Sequence, residues 1–73
     1  MDAPVPRRGL HRIKFQGHDF LLIGDLGYGA IATQEQFDDC ADNYAHVYED
    51  GIVRRYGRPI GTRSDITVLS TEE

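Results

Sequence analysis

Three histidines, one cysteine and twelve acidic residues are the groups in this chain that could ligate a metal or move a proton. His11, His18 and His46 stand 7 and 28 residues apart, and Cys40 lies 6 residues before His46. A zinc site uses closely paired ligands such as CxxC or HxxxH, and the chain has neither. The expectation is therefore no metal and no other cofactor. A Cys40–His46 dyad would need an accessible, activated thiol. Cys40 falls instead on an apolar helical stripe, where a buried thiol is expected. His18-Asp19 sits in a turn and is no better placed. Acid–base work by carboxylates needs a cleft with a shifted environment. A chain of 73 residues rarely encloses one, and no enzyme is expected.

Binding chemistry is better represented. Wound at about 100° per residue, residues 33–44, with the helix itself expected over 34–42, place Phe37, Cys40, Ala41 and Tyr44 on one face and Glu35, Asp38, Asp39 and Asp42 on the other. Aspartate is a poor interior helix residue, and acids near a helix C-terminus oppose the macrodipole by about 0.3–1 kcal/mol each. Neighbouring like charges add repulsion. Stability does not account for such a stripe. A docking surface for a basic partner does, and a merely solvated face is the plainer alternative. Its outer acids are separated by about 10 Å along the axis. Glu49 and Asp50, in a later turn, extend the acidic set.

A second set has the chemistry of nucleic-acid binding. Arg54, Arg55 and Arg58 with Tyr44, Tyr48 and Tyr56 combine positive charge with stacking surface. Against it stand a net charge of −4 and a pI near 5.2, where a nucleic-acid domain is ordinarily basic. The charge is segregated along the chain. Residues 1–15 carry a net +3, residues 16–50 carry −8 with no Lys or Arg, and residues 51–73 carry +1.

The elements that position these groups follow from pattern. Residues 1–9, with Pro4, Pro6 and Gly9, read as an extended flexible tail. Strands are expected at 10–16, 19–24, 29–32, 44–48, 52–57 and 65–69, with an acidic tail at 70–73. A Gly17-His18 turn would set Phe15 opposite Phe20 and Ile13 opposite Leu22. The Phe20–Ile23 run is apolar on both faces, which fits a central strand covered on each side. Residues 24–29 are glycine-dense but precede a short strand rather than a helix, so they read as a turn and not a phosphate-cradling loop. Thr33-Gln34-Glu35-Gln36 matches a capping box, and Asn43 is the expected left-handed stop. Asp50-Gly51 marks a hairpin with two registers open: a two-residue loop puts Tyr48 opposite Val53, and a three-residue loop with a bulge at Gly51, preferred because it lines up tyrosines, puts Tyr48 opposite Ile52 and Tyr44 opposite Tyr56. Pro59 places residues 57–62 in a turn.

The reading is one α+β domain over residues 10–69. It has a curved, barrel-like antiparallel sheet of five or six short strands with one helix packed on it, in the order βββαββ(β). The expected core is Ile13, Phe15, Phe20, Leu22, Ile31, Phe37, Cys40, Ala41, Val47, Val53, Ile66 and Val68. There is no run of about 18 apolar residues to span a membrane, and the N-terminus lacks the apolar core of a signal peptide. A single cysteine allows no internal disulfide, consistent with a reducing, cytoplasmic setting.

The expected function is non-catalytic binding of a protein with a basic surface, by a monomer or weak homodimer. In size and charge, not in sequence, the chain resembles the inhibitors of phage and mobile elements that act as DNA mimics, including many anti-CRISPR proteins. The alternatives are nucleic-acid binding through the Arg/Tyr hairpin, or an accessory subunit that pairs through an edge strand.

Overall fold

Strand alternation becomes, in the computed structural model, one curled antiparallel sheet. The structure describes residues 9–72, so the expected tail lies, apart from Gly9, outside the described residues. In chain order the elements are β1 (Gly9–Phe15), β2 (His18–Gly24), β3 (Gly29–Ala32), α1 (Gln34–Asp38), β4 (Ala45–Val47), β5 (Ile52–Arg55) and β6 (Arg58–Thr62). A 3-10 turn at Arg63–Asp65 leads into β7 (Ile66–Glu72). The seven strands lie in the order β6-β5-β4-β3-β2-β1-β7. The first six form a meander of neighbours, and β7 returns to pair with β1. The domain is mostly β, a half-barrel with one short helix. The expected α+β class fits roughly, with one strand more than foreseen.

The inner face is the core. Ile13, Phe15, Phe20, Leu22, Ile31, Ala45, Val47, Val53 and Ile66 form one buried cluster, with Val68 and Tyr44 packed against it. These are the inward positions of successive strands, as period-two alternation requires. His11 joins them, fully buried, with Nδ1 3.0 Å from Thr71 Oγ1 and Nε2 3.1 Å from the Gly24 carbonyl. That carbonyl can only accept, so Nε2 carries a proton. The curl is held partly from outside, where Gln16 Nε2 donates to the Ile60 carbonyl on β6 at 2.7 Å.

Registers depart from expectation in instructive ways. The β1–β2 turn is Gln16-Gly17, both at positive φ (52° and 84°), not Gly17-His18. Phe15 therefore faces His18 and Ile13 faces Phe20. The paired face is the one foreseen, because the slip is by two residues and preserves side-chain sense. The β4–β5 loop does have three residues. Gly51 sits at φ 84° and donates to the Tyr48 carbonyl, and Tyr48 N–H bonds the Ile52 carbonyl. Tyr44 and Tyr56 lie just outside the paired strands, so their expected cross-strand pairing is not part of the ladder. Residues 57–62 are not a turn. Tyr56-Gly57 makes the turn, and Pro59 lies in β6. Proline is tolerated there because β6 is an edge strand. Residues 70–72, expected as a tail, continue β7.

The largest correction concerns the helix. Thr33 and Gln36 form the expected capping box, each side chain bonded to the other's backbone N–H. The helix then ends after five residues. Cys40 takes the left-handed conformation (φ 53°), Ala41 N–H bonds the Gln36 carbonyl at 2.9 Å and Cys40 N–H the Phe37 carbonyl at 3.3 Å. This is a Schellman stop with cysteine in the place usual for glycine. Asn43 is not the stop. Phe37, Cys40 and Ala41, expected in the core, are exposed, because residues 39–44 are not helical and present no continuous face. The helix instead packs against β2 and β3, on which Leu21 and Ala32 point away from the main core and are nevertheless 3% and 1% exposed. So β2 is a central strand covered on both sides at Leu21, but its apolar run is not covered throughout: Ile23, on the same outward face, is 36% exposed.

Candidate binding face

Outward residues of five strands line up across the sheet. Leu10 on β1 pairs with Ile23, Ile23 with Ala30, Ala30 with His46, and His46 with Arg54. Their chain neighbours His11, Leu22, Ile31, Val47 and Val53 are buried on the other side, which fixes the direction of this row. The covering helix ends beside it. Phe37, 41% exposed, lines a depression of about 490 Å³ with Leu10, Ile23, Ala30, His46 and Tyr28.

Tyr28, 53% exposed, reaches this position because the preceding turn is folded by Asp25, whose Oδ1 accepts from Gly27 and Tyr28 N–H at 2.8 Å each. Tyr28 also lines a second depression of about 510 Å³ with Tyr48, Glu49, Asp50 and Arg54. Its ring meets Tyr48 edge to face at 6.0 Å and 75°. The His46 ring is 6.3 Å from that of Tyr48, and the Arg54 guanidinium lies 4.9 Å from the Tyr48 centroid. A continuous, partly apolar and aromatic surface results, and singly scattered exposed apolar residues would not produce it.

Arg54 is held in place. Its Nη2 and Nη1 donate to Asp50 Oδ2 and Oδ1 at 2.9 and 3.3 Å, a bidentate pair across one turn of chain. The Asp50 carboxyl is held below its usual range by this hydrogen bond and by Ile52 N–H, and the Arg54 pKa is raised by the same contact. Arg63 braces the loop from behind, donating to the Tyr48 and Glu49 carbonyls at 3.3 Å.

The acids foreseen as partner-binding border this surface rather than forming a helical stripe. Glu35 and Asp38 lie on α1, and Asp39 is its C-cap. Asp42, in the loop beyond, lines a depression with His46, Tyr48 and Arg54. Glu49 and Asp50 bound the opposite end. All six are exposed, and among the described residues only Asp50 has an arginine partner.

The Arg/Tyr set separates. Tyr48 and Arg54 belong to the outer face. Arg55 lies over Tyr44 at 4.3 Å and Tyr56 at 5.3 Å, and Tyr44 packs against Phe20 at 4.7 Å. Arg58 is exposed on the edge strand. Sequence reasoning missed Leu10, Ile23, Tyr28 and Ala30 as surface members and placed Phe37 in the core. The doubly apolar run of β2 was the available signal for Ile23. Among the described residues no three His, Cys, Asp or Glu side chains cluster to hold a metal, and no helix is long and apolar enough to cross a membrane. No protein-family model, curated protein sequence or solved structure matches the chain.

Proposed function

We propose that this chain is a non-catalytic binding protein that docks a basic partner protein on the outer face of its sheet. The supporting observation is the composition of that face: an aromatic and apolar centre of Tyr28, Tyr48, Ile23 and Phe37 with carboxylates around it. Buried aromatic anchors supply most of the energy of protein interfaces, whereas charges at the rim set orientation and association rate. Six acids with one paired arginine favour a positively charged partner. Occupying a basic nucleic-acid-binding groove is one way such a protein would inhibit a nucleic-acid-processing complex. Nucleic acid itself is the less supported ligand, because Tyr44 and Tyr48 already carry an arginine against their rings and Asp50 neutralises Arg54.

The test is capture of partners from host lysate by the tagged chain at low and at high salt, repeated with Tyr28→Ala/Phe37→Asp and with Asp42→Asn/Glu49→Gln. The first pair should abolish capture of the specific partner. The second should slow its association and flatten the salt dependence. A partner retained unchanged by both pairs would refute the assignment of this face. Salt-sensitive capture of nucleic acid alone would move the site to the arginines.

A further inference from the structure

The turn between β5 and β6 gathers positive charge that nothing among the described residues neutralises. Tyr56 and Gly57 form it, both at positive φ (54° and 80°), and set Arg55 directly opposite Arg58. Opposed residues project to the same side of a sheet with Cβ atoms about 5 Å apart, and like charges there repel. The register shift between the two strands lies further along, at Val53/Arg54, and leaves this pairing intact. Among the described residues neither arginine forms an ion pair or donates a hydrogen bond. Residues 51–64 contain no acid. Asp42, which borders a depression with Tyr44 and Tyr56, pairs with neither arginine. Arg55, half-buried, is also held in place. Its guanidinium lies 4.3 Å from the Tyr44 centroid and 5.3 Å from that of Tyr56, and its Nε is buried without an acceptor. Tyr44 is itself seated on Phe20 of the core at 4.7 Å. The rings fix the planar fork and leave its Nη donors unused.

We propose that Arg55 and Arg58 bind a phosphate monoester, with the ring of Tyr56, 83% exposed, against the organic group of the ester. The site is independent of the docking face: Arg55 shares its side of β5 with the buried Val53, whereas Arg54 lies on the other side, in the outer row. Charge selects the ligand. Two uncompensated guanidiniums match the charge of nearly −2 that a monoester carries at neutral pH, whereas a carboxylate or a phosphodiester of a nucleic-acid backbone carries −1. A dianion between them also relieves the repulsion that the hairpin register imposes. Geometry agrees, because a guanidinium fork takes two phosphate oxygens at once. Arg55 is already ordered by its two rings, so binding costs less side-chain entropy than at a free surface arginine.

Titration of the isotopically labelled full chain with phenyl phosphate, followed by NMR at about pH 7.5 where the ester is a dianion, tests this. The Arg55 Nε–H, which burial protects from exchange with water, should shift together with the Tyr56 and Gly57 amides, with a dissociation constant of about 0.1–1 mM. Inorganic phosphate, which has no group to meet Tyr56, should bind about threefold more weakly, and the diester dimethyl phosphate at least tenfold more weakly. Arg58→Gln changes an exposed side chain and should leave the circular dichroism spectrum unchanged while weakening phenyl phosphate at least tenfold. Arg55→Lys keeps the charge, loses the fork and should weaken it at least threefold. Lys14→Gln, which removes the same charge elsewhere on the surface, should alter it less than twofold. Dimethyl phosphate bound as tightly as phenyl phosphate overturns the proposal, and so does an affinity unchanged by Arg58→Gln. No shift at Arg55 and Tyr56 up to about 20 mM ligand overturns it as well. Shifts confined to Tyr28, Tyr48 and Arg54 would place the anion on the outer face and would equally overturn it. Tighter binding of inorganic phosphate than of phenyl phosphate would refute the role of Tyr56.

Discussion

Removing the imidazole of His11 should be among the most damaging single changes in the molecule. The side chain is fully buried where β1 lies between β2 and β7, and its two nitrogens contact both neighbours. In His11→Ala the Gly24 carbonyl loses a donor at 3.1 Å, at a cost of about 1 kcal/mol for a partly buried neutral group. Thr71 is exposed and can turn its hydroxyl to water, so its loss is smaller, about 0.5 kcal/mol. The vacated ring leaves a void beside Leu22, its cross-strand partner, adding about 1–2 kcal/mol. The total is about 3 kcal/mol. For a domain of this size that lowers the melting temperature by about 12–24 °C. His11→Leu refills the volume and should recover about half of the loss, separating packing from hydrogen bonding. Urea unfolding followed by circular dichroism measures both variants. A loss below about 1 kcal/mol for His11→Ala would refute the reasoning, since it would mean that the histidine neither fills space nor satisfies the carbonyl.

Two further outcomes follow from the backbone and the charge pair. Cys40→Gly should stabilise the domain by about 0.5–1 kcal/mol in the same unfolding assay, because glycine adopts the left-handed C′ conformation without the Cβ penalty, whereas Cys40→Val should destabilise it. The Asp50 carboxyl should titrate below its ordinary 3.8 by carbon-detected NMR, and Arg54→Ala should raise the midpoint. Because the folded pKa is the lower one, the pair's contribution is present above the unfolded value and is lost as pH falls through the folded one. Asp50 is fully exposed, so this effect on the acid limb should be small and should vanish at high salt.

Local chemistry determined much of this protein from its sequence. Alternation in β1, β2 and β5 placed Ile13, Phe15, Phe20, Leu22 and Val53 on the buried face, since the side-chain period of a strand is two whatever the partner. The capping box at Thr33 and the Asp50-Gly51 loop were legible because their bonds join residues two to four positions apart. The helix end was not. Phe37, Cys40, Ala41 and Tyr44 keep helical spacing, but Tyr44 N–H is drawn to the Ile31 carbonyl at 2.8 Å, where the chain turns back toward β3, and the short helix stops to allow it. A non-glycine residue at the stop gave no local signal. His11 was absent from the expected core because its partners, Gly24 and Thr71, lie 13 and 60 residues away. The binding face has the same origin. Leu10, Ile23, Ala30, His46 and Arg54 become one row only when five strands are in register. That β7 ends the sheet among the described residues was likewise decided by its return to β1, a pairing between strands about 55 residues apart that no local pattern encodes.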